Sequence, residues 1–527
     1  MNTSVMNIET SSASAVNRSR LEACFAKAYQ AQLAWGQSKV VVRTLVIEKL
    51  RALLVENRRE LAEAIGSPSR QDYRETVTSE LLPLADTAKW LHKKAKRILA
   101  PRYVDAGGSP MWLGRMRSTV HRVPCGLVLI IGTWNYPLFL TGAQLLHALA
   151  AGNAVVIKPA PGAEQVTRLM VDLLAKAGLP RDLVIVLDSS VASGKLAIDI
   201  GVDKVVMTGS SQSGRAVLKQ LAETLTPSVM ELSGCDAVYV LPGADMHRVC
   251  DLLLFGLRLN GGATCMAPRR VFIPKKSSEV FHRLLAQRLS SEAQNTWTTP
   301  IQRSTYEKMM DGVAEAIQKG ASVFSQGTPP IVRSLSANSD TLADSHSDSE
   351  SGEQELVECG HLVLTDVSTS MRLCSMDLFA PLLMIIPVDD WSDALHADSR
   401  CPYALTASIF GPTEDALRLV KFISAGFVSI NDLIVPTADP QLPFGGRGES
   451  GSGVTRGSEG LLEMTFPKVV STRLGAWLPH AKLPEKGDEL LLDGLLQFSH
   501  HGNSRGRIAG LIQTIKTAIS QKKNKKS

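Results

Sequence analysis

The chain reads as an α/β protein with two domains, each built on a mostly parallel sheet. From Val123 onward, short apolar runs rich in β-branched residues alternate with helical stretches of about 10–15 residues, the pattern of βαβ units. That alternation comes in three series, one up to Thr208, a second from Ala237 to Gly320 and a third from Leu362 to Asn431. At 527 residues the chain also exceeds one ordinary core, so two or three domains are expected.

Composition narrows the classes. Hydrophobic residues make up 44% and charged residues 20%, the values of a water-exposed globular protein. The net charge of +6 is mild and its cations are spread out, so no nucleic-acid partner is expected. Eight cysteines (24, 125, 235, 250, 265, 359, 374 and 401) include no C-x-x-C pair, which argues against a disulfide framework and a metal site. The segment Met1 to Ala15 lacks an apolar signal core, and no run approaches ~20 apolar residues. A cytoplasmic location is expected.

Residues 1–15 read as lacking fixed structure. Arg20 to Ala100 is helical in pattern, with Leu45, Ile47, Leu50, Leu53 and Leu54 at helical spacings. In the run Leu81 to Leu99 the cations Lys89, Lys93, Lys94, Lys96 and Arg97 are read as a solvated face, and Pro101 stops the helix. Residues 102–124 carry Gly107-Gly108 between extended flanks, a hairpin signal. Strands are expected at Leu127–Ile131, Ala154–Lys158, Val184–Leu187 and Lys204–Thr208. A helix of about 163–177 is ended by Gly178-Leu179-Pro180. Residues 334–360 hold seven carboxylates, many serines and no Lys or Arg, an acidic insertion expected to lack fixed structure.

Four stretches could carry chemistry. Asn260-Gly261-Gly262-Ala263-Thr264-Cys265 presents a cysteine on a glycine-rich approach, although a lone cysteine is more often a small core hydrophobe than a nucleophile. Thr208-Gly209-Ser210-Ser211-Gln212-Ser213-Gly214 follows a strand and opens a helix, where backbone N–H groups hold a phosphate or merely make a turn. Thr133-Trp134-Asn135-Tyr136-Pro137 lies past the carboxyl end of the first strand, the place where open α/β sheets bind ligands. Asn135 there is either an oxyanion donor or a turn former. Met230-Glu231-Leu232-Ser233-Gly234 puts a carboxylate in an apolar setting, suited to general-base work if burial raises its pKa.

Taken together these motifs resemble one family. Pro124-Cys125-Gly126 through Pro137, Ala151-Gly152-Asn153-Ala154-Val155-Val156-Ile157-Lys158-Pro159, Thr208 to Gly214, Glu231-Leu232-Ser233-Gly234 and Asn260 to Cys265 are similar to successive motifs of the aldehyde dehydrogenases. Asp377-Leu378-Phe379-Ala380-Pro381, Gly426 with Asn431-Asp432, and Leu442 to Gly451 continue the series, so the likeness spans about residues 40–472. The Asn-Tyr-Pro form looks closer to the branch acting on medium- and long-chain or aromatic aldehydes.

The resemblance implies a Rossmann-like cofactor domain (16–101 and 125–234), a second α/β catalytic domain (235–436) and a β-hairpin oligomerisation arm (102–124 with 465–472). Residues 437–464 would link them and 473–527 would form a tail. It implies NAD or NADP as cofactor, a small-molecule aldehyde as substrate and a homodimer or dimer of dimers. Cys265 would be the nucleophile, Glu231 the base that activates water, and Asn135 the oxyanion donor. Lys158, Gly209, Ser210, Gly214, Trp134, Asp377 and Phe379 would hold the cofactor. Some positions depart from the pattern: Ala263 stands where Gln is common, Asp377 replaces Glu, Ala380 and Ser233 replace Gly, and Pro161 stands where a ribose-binding Glu is frequent. Two alternatives stay open, a CoA-acylating or reductive relative and a catalytically quiet scaffold.

The tail lies outside the resemblance. Ile508, Leu511, Ile512, Ile515 and Ile519 recur at helical spacing beside Arg505, Arg507 and Lys516, with Lys522, Lys523, Lys525 and Lys526 beyond. Such a helix either packs on the protein or makes a peripheral membrane contact through residues 503–527.

Overall fold

The computed structural model describes residues 14–67, 70, 72–104, 110, 113, 115–291, 297–329, 331–333, 355–475, 478–481 and 483–524. The expectations for residues 1–13, Gly107-Gly108, residues 334–354 and Lys525-Lys526 lie outside the described residues. The chain divides into two compact units, 1–101 with 121–468, and 102–120 with 469–527.

The larger unit opens with helices, as the apolar spacing implied: Ser14–Gln37, Val40–Glu56, Arg58–Ile65 and Leu82–Ile98. Ser14 and Ala15, expected without fixed structure, belong to the first of these. In the second, Ile47, Leu50 and Leu54 share a face and are buried, whereas Leu45, about 200° round the helix from Ile47, is exposed. Leu82–Ile98 buries Leu84, Ala88, Leu91 and Ala95 and turns Lys89, Lys93, Lys96 and Arg97 to solvent.

The first sheet holds β1 (Leu127–Ile131), β2 (Ala154–Lys158), β3 (Val184–Val186), β4 (Lys204–Gly209) and β5 (Ser228–Leu232). Their spatial order is β3-β2-β1-β4-β5, all parallel, with the short strand Gly451–Ser452 antiparallel at the β5 edge. β1 to β4 are buried on both faces, which is why they read as continuous apolar runs. This is the Rossmann-like order, in which the chain direction switches between β1 and β4 and a crevice opens at their carboxyl ends.

Three residues carry the chain into the second sheet. It comprises β6 (Asp236–Val240), β7 (Pro268–Pro274), β8 (Ser322–Gln326), β9 (Leu362–Thr365), β10 (Leu382–Val388), β11 (Thr406–Phe410) and β12 (Phe427–Ile430). The order is β8-β9-β10-β7-β6-β11-β12, parallel except for β8. The second and third alternating series of the sequence thus make one sheet. The end of the acidic insertion is ordered, contrary to expectation. Leu356–Cys359 pairs with Thr299–Gln302 and Ile331–Arg333, because alternate residues Val357 and Cys359 are buried.

In the smaller unit Arg102–Val104 pairs antiparallel with Ser118–Val120. The strand Thr465–Arg473 joins them in a three-stranded sheet, with Ser118 and Ser471 hydroxyls 2.9 Å apart. Helices Asp488–His500 and Ser504–Asn524 form a hairpin that crosses closely at Gly494 and Gly510. A Cβ on Gly510 would stand 2.4 Å from the Phe498 nitrogen.

Candidate active site

The turn that bears the candidate nucleophile Cys265 lies between the helix Met246–Arg258 and β7. Asn260, Gly261 and Gly262 all take positive φ (50°, 62° and 75°), so the chain doubles back before reaching Cys265. Glycine is required at 262, where a Cβ would stand 2.7 Å from the Ala380 carbonyl oxygen. The turn is pinned from four sides. The Asn260 N–H donates to the Glu75 carboxylate, and its Nδ2 donates to the Asn135 carbonyl at 2.9 Å. Buried Arg269 donates to the Gly262 carbonyl at 2.6 Å and to that of Ala380. The hydroxyls of Thr264 and Tyr136 are 2.6 Å apart. Ala263 is buried and Cys265 half-buried.

Asn135 arrives from the loop after β1. The Thr133 hydroxyl and the Tyr136 N–H both donate to its Oδ1, at 2.8 and 3.1 Å, which orients the amide. Its Nδ2 then donates to the Ala263 carbonyl at 3.1 Å, two residues before Cys265. An amide nitrogen has two N–H bonds, so a second donor is left for an oxyanion. The loop is held from the N-terminal helices by a buried pair with no counterpart among the motifs. Arg70 donates to the Asn135 carbonyl at 2.8 Å and meets Glu80 at 2.8 Å. Glu80 in turn accepts from Leu138 N–H (2.8 Å) and Phe139 N–H (2.9 Å) at the start of the helix Phe139–Ala151.

Glu231 sits near the end of β5, 3% exposed. Its Oε2 accepts from the Thr455 hydroxyl at 3.1 Å, and its Oε1 has no partner among the described residues. Burial raises its carboxyl above the usual range, with Arg456 and Thr455 holding it back. Burial likewise pushes the Cys265 thiol up, reinforced by Glu231 and Asp236 and opposed by Arg456. Asp236 is pushed up to about 7 by burial, against the hydrogen bonds from Thr406. The backbone brings the two candidate stretches together: a Cβ on Gly234 would stand 2.8 Å from the Cys265 carbonyl oxygen.

The residues expected to hold a cofactor border the crevice at the sheet's switch point. Lys158 ends β2 in register with Ile131 of β1, and burial lowers its pKa against the pull of Glu164 and Asp188. Gly209 ends β4. Ser210 caps the following helix through its hydroxyl, which accepts from Ser213 N–H at 3.2 Å. Gly214 lets that helix lie against β5, since a Cβ there would be 2.8 Å from Leu232 Cδ1. The Trp134 and Phe379 rings lie 5.7 Å apart between centres, tilted 56° to each other, Trp134 being 40% exposed. Burial raises the Asp377 carboxyl, while the Ser233 hydroxyl and Arg269 hold it down. A helix N-terminus, a cation and an open aromatic pair along one crevice suit a dinucleotide's phosphates, ribose and ring. Sequence reasoning missed Arg70, Glu75, Glu80, Arg269, Thr455 and Arg456, which act through contacts between distant stretches.

Comparison with known proteins agrees with this geometry. The chain matches the aldehyde dehydrogenase family over residues 5–470. It is 30% identical over 445 residues to a 4,4'-diapolycopene aldehyde oxidase of Methylomonas sp, covering 84% of this chain and 79% of that protein. It is 30% identical over 463 residues to a probable coniferyl aldehyde dehydrogenase of Pseudomonas aeruginosa, covering 86% and 91%. Its fold matches a betaine aldehyde dehydrogenase of Staphylococcus aureus in complex with NAD+, with a TM-score of 0.75 at 21% identity, over 89% of this chain and 90% of that one. The chain belongs to the aldehyde dehydrogenase family.

Proposed function

We propose that Cys265, Glu231 and Asn135 carry out the NAD(P)-dependent oxidation of an aldehyde to a carboxylic acid that comes with membership of this family. The observation that carries the assignment is the convergence of three distant stretches: Asn135 bonded to Ala263, Cys265 two residues on, and a buried, half-satisfied Glu231 whose stretch meets the Cys265 backbone at Gly234. The Cys265 thiolate attacks the aldehyde carbon. The oxyanion so formed is stabilised by the second N–H of Asn135 and the backbone N–H of Cys265. NAD or NADP held in the crevice would supply the hydride acceptor for the oxidation. Glu231 then takes a proton from the water that hydrolyses the resulting thioester, a task its raised pKa suits.

Lys158, Gly209 and Ser210 would hold the ribose and phosphates, and Trp134, Asp377 and Phe379 the nicotinamide side. Pro161, exposed where a carboxylate would repel a 2′-phosphate, favours use of NADP as well as NAD. The buried Glu231 also supports hydrolysis over transfer to CoA, and the relatives' names support a medium- or long-chain or aromatic aldehyde.

The decisive measurement is a panel of aldehydes of increasing chain length, with NAD and NADP in parallel. A burst of reduced cofactor with free acid as product is expected, absent in Cys265→Ala. A burst that survives this substitution, or a thioester as the product, would sink the assignment.

The smaller unit supports two further proposals. The exposed strand Thr465–Arg473 offers an edge for pairing between subunits, giving a homodimer or dimer of dimers. Deleting 102–120 should then yield monomers in sedimentation velocity. The helical hairpin exposes Leu490, Leu492, Leu496, Ile508, Ile512 and Ile519 beside Arg505, Arg507 and Lys516, a combination fitted to an anionic lipid surface. Among the described residues no helix is long and apolar enough to cross a membrane. Co-sedimentation with anionic vesicles that is unchanged by deleting 503–527 would remove that proposal.

A further inference from the structure

A buried guanidinium bonds to the peptide that carries Asn135, and the scheme above gives it no task. The Arg70 side chain is 4% exposed, and its Nη2 donates to the Asn135 carbonyl at 2.8 Å while meeting Glu80 Oε1 at 2.8 Å. Glu80, fully buried, accepts from the Leu138 and Phe139 N–H groups at 2.8 and 2.9 Å. One ion pair therefore grips the loop after β1 at both ends, Arg70 at residue 135 and Glu80 at residues 138 and 139. Glu80 comes from a single π-helical turn, Val77–Leu81, set between the helices Tyr73–Thr76 and Leu82–Ile98, a distortion that recurs at functional sites. Arg70 Nε and Nη1 have no partner among the described residues. A buried pair left so incomplete is a weak source of stability, which directs attention to what it orients.

The hydrogen bonds beyond Arg70 run in one direction. The carbonyl it reaches belongs to the peptide joining Asn135 to Tyr136, and the N–H of that same peptide donates to Asn135 Oδ1 at 3.1 Å. Oδ1 belongs to the amide whose Nδ2 donates to the Ala263 carbonyl at 3.1 Å and keeps one N–H for an oxyanion. A cation on the carbonyl draws electron density from the peptide, so its N–H donates more strongly. That N–H, bonded to Oδ1, has the same effect on Nδ2. Chained hydrogen bonds in a dry interior strengthen one another in this way, by roughly 10–30% per bond. The Asn135 carbonyl also accepts from Asn260 Nδ2 at 2.9 Å, and the Asn260 N–H donates to the Glu75 carboxylate. The stretch that carries Arg70, Glu75 and Glu80 thus supports the Asn135 loop and the turn before Cys265 together.

We propose that Arg70 is a positioning residue that orients and polarises the Asn135 amide toward the oxyanion formed at Cys265. The proposal rests on the assignment of Asn135 and Cys265 given above. The charge of Arg70 acts through two amide groups that are held in place before the reaction begins, so no reorganisation is needed as the oxyanion develops. Glu80 fixes the guanidinium on its carbonyl and, through Leu138 and Phe139, fixes the far end of the same loop.

The test measures the rate of the burst of reduced cofactor in the full chain with a medium-chain aldehyde. Beside it runs alkylation of Cys265 by iodoacetamide, a displacement that forms no oxyanion. Removing Arg70 alone would strand a buried carboxylate, so the variant is Arg70→Met with Glu80→Gln. Its burst should slow about tenfold, a part of the 10²–10³-fold expected for losing the donor outright. The KM for cofactor and the alkylation rate should stay at wild-type values, and Arg70→Lys with Glu80 in place should recover most of the burst rate. Added to Asn135→Asp, the same pair of substitutions should cost less than about twofold, since the amide it acts through is gone. A folded variant with a wild-type burst rate overturns the proposal. So does a tenfold loss in the Asn135→Asp background, or a parallel loss in alkylation, either of which would mark general disruption of the site. Should Arg70→Met with Glu80→Gln not fold, Arg70→Gln with Glu80→Gln leaves only a neutral donor for the carbonyl and is judged by the same outcomes. If Asn135→Asp itself keeps the wild-type rate, the assignment of Asn135 fails; if it loses rate and the Arg70 variants do not, this inference alone fails.

Discussion

Asn135 does two things at once, and the hydrogen bonds separate them. Its Oδ1 accepts from Thr133 and Tyr136 and so shapes the loop, whereas its Nδ2 donates toward the nucleophile turn. Asn135→Asp keeps the accepting oxygen and removes the donor. We expect it to fold like wild type and to lose about 10²–10³-fold in kcat, the usual effect of deleting one oxyanion donor. A kcat within a few-fold of wild type in a folded variant would mean that the amide is only a turn former. Asn135, Cys265 and Glu231 could be singled out in the sequence because each sits in a short motif that resembles one of the family's, from which its proposed role follows. Arg70 and Arg456 could not, because what they do depends on partners 65 and 19 residues away.

At the scale of elements, the turn before Cys265 is held in place by the loop Asp377–Pro381 pressing on Gly262. A Cβ on Gly262 would meet Ala380 O at 2.7 Å, Ala380 C at 2.8 Å and Pro381 N at 2.9 Å, all of them backbone atoms, and φ there is +75°. Gly262→Ala must therefore shift one of the two segments. Strain of this kind costs about 1–3 kcal/mol. The expected outcome is a lower melting temperature together with a reduced burst amplitude, since the displaced segment carries Cys265. An unchanged amplitude would show that the two segments move independently. The sequence made the strands and helices legible through their apolar periodicity, β1 to β4 as continuous runs and Leu82–Ile98 as a stripe. It did not reveal that the second and third alternating series share one sheet, because the register joining β10 to β7 links residues more than a hundred positions apart. Nor did it reveal the strand Leu356–Cys359, whose two buried side chains close an acidic stretch that otherwise argued for disorder.

For the molecule as a whole, stability depends on pH through His147, a titratable ring buried in the first core. All thirteen residues of the helix Phe139–Ala151 are buried, so His147 lies among apolar neighbours, 6.0 Å from the Trp90 ring. Its Nδ1 donates to the Ala143 carbonyl at 2.7 Å, while Nε2 has no partner among the described residues. Burial, with a smaller contribution from Arg456, lowers its pKa from 6.5 to about 4. The folded state thus resists a proton that the unfolded chain accepts. As pH falls below 6.5 the unfolded state gains protons first, and stability is lost until the folded pKa near 4 is reached. The full effect is on the order of 3 kcal/mol. His147→Leu fills a similar volume without titrating, so other acid-sensitive groups cancel in the comparison. Urea midpoints at pH 7 and pH 5 should therefore fall further in wild type than in the variant, and equal falls would show that the ring gains its proton in the folded state without penalty.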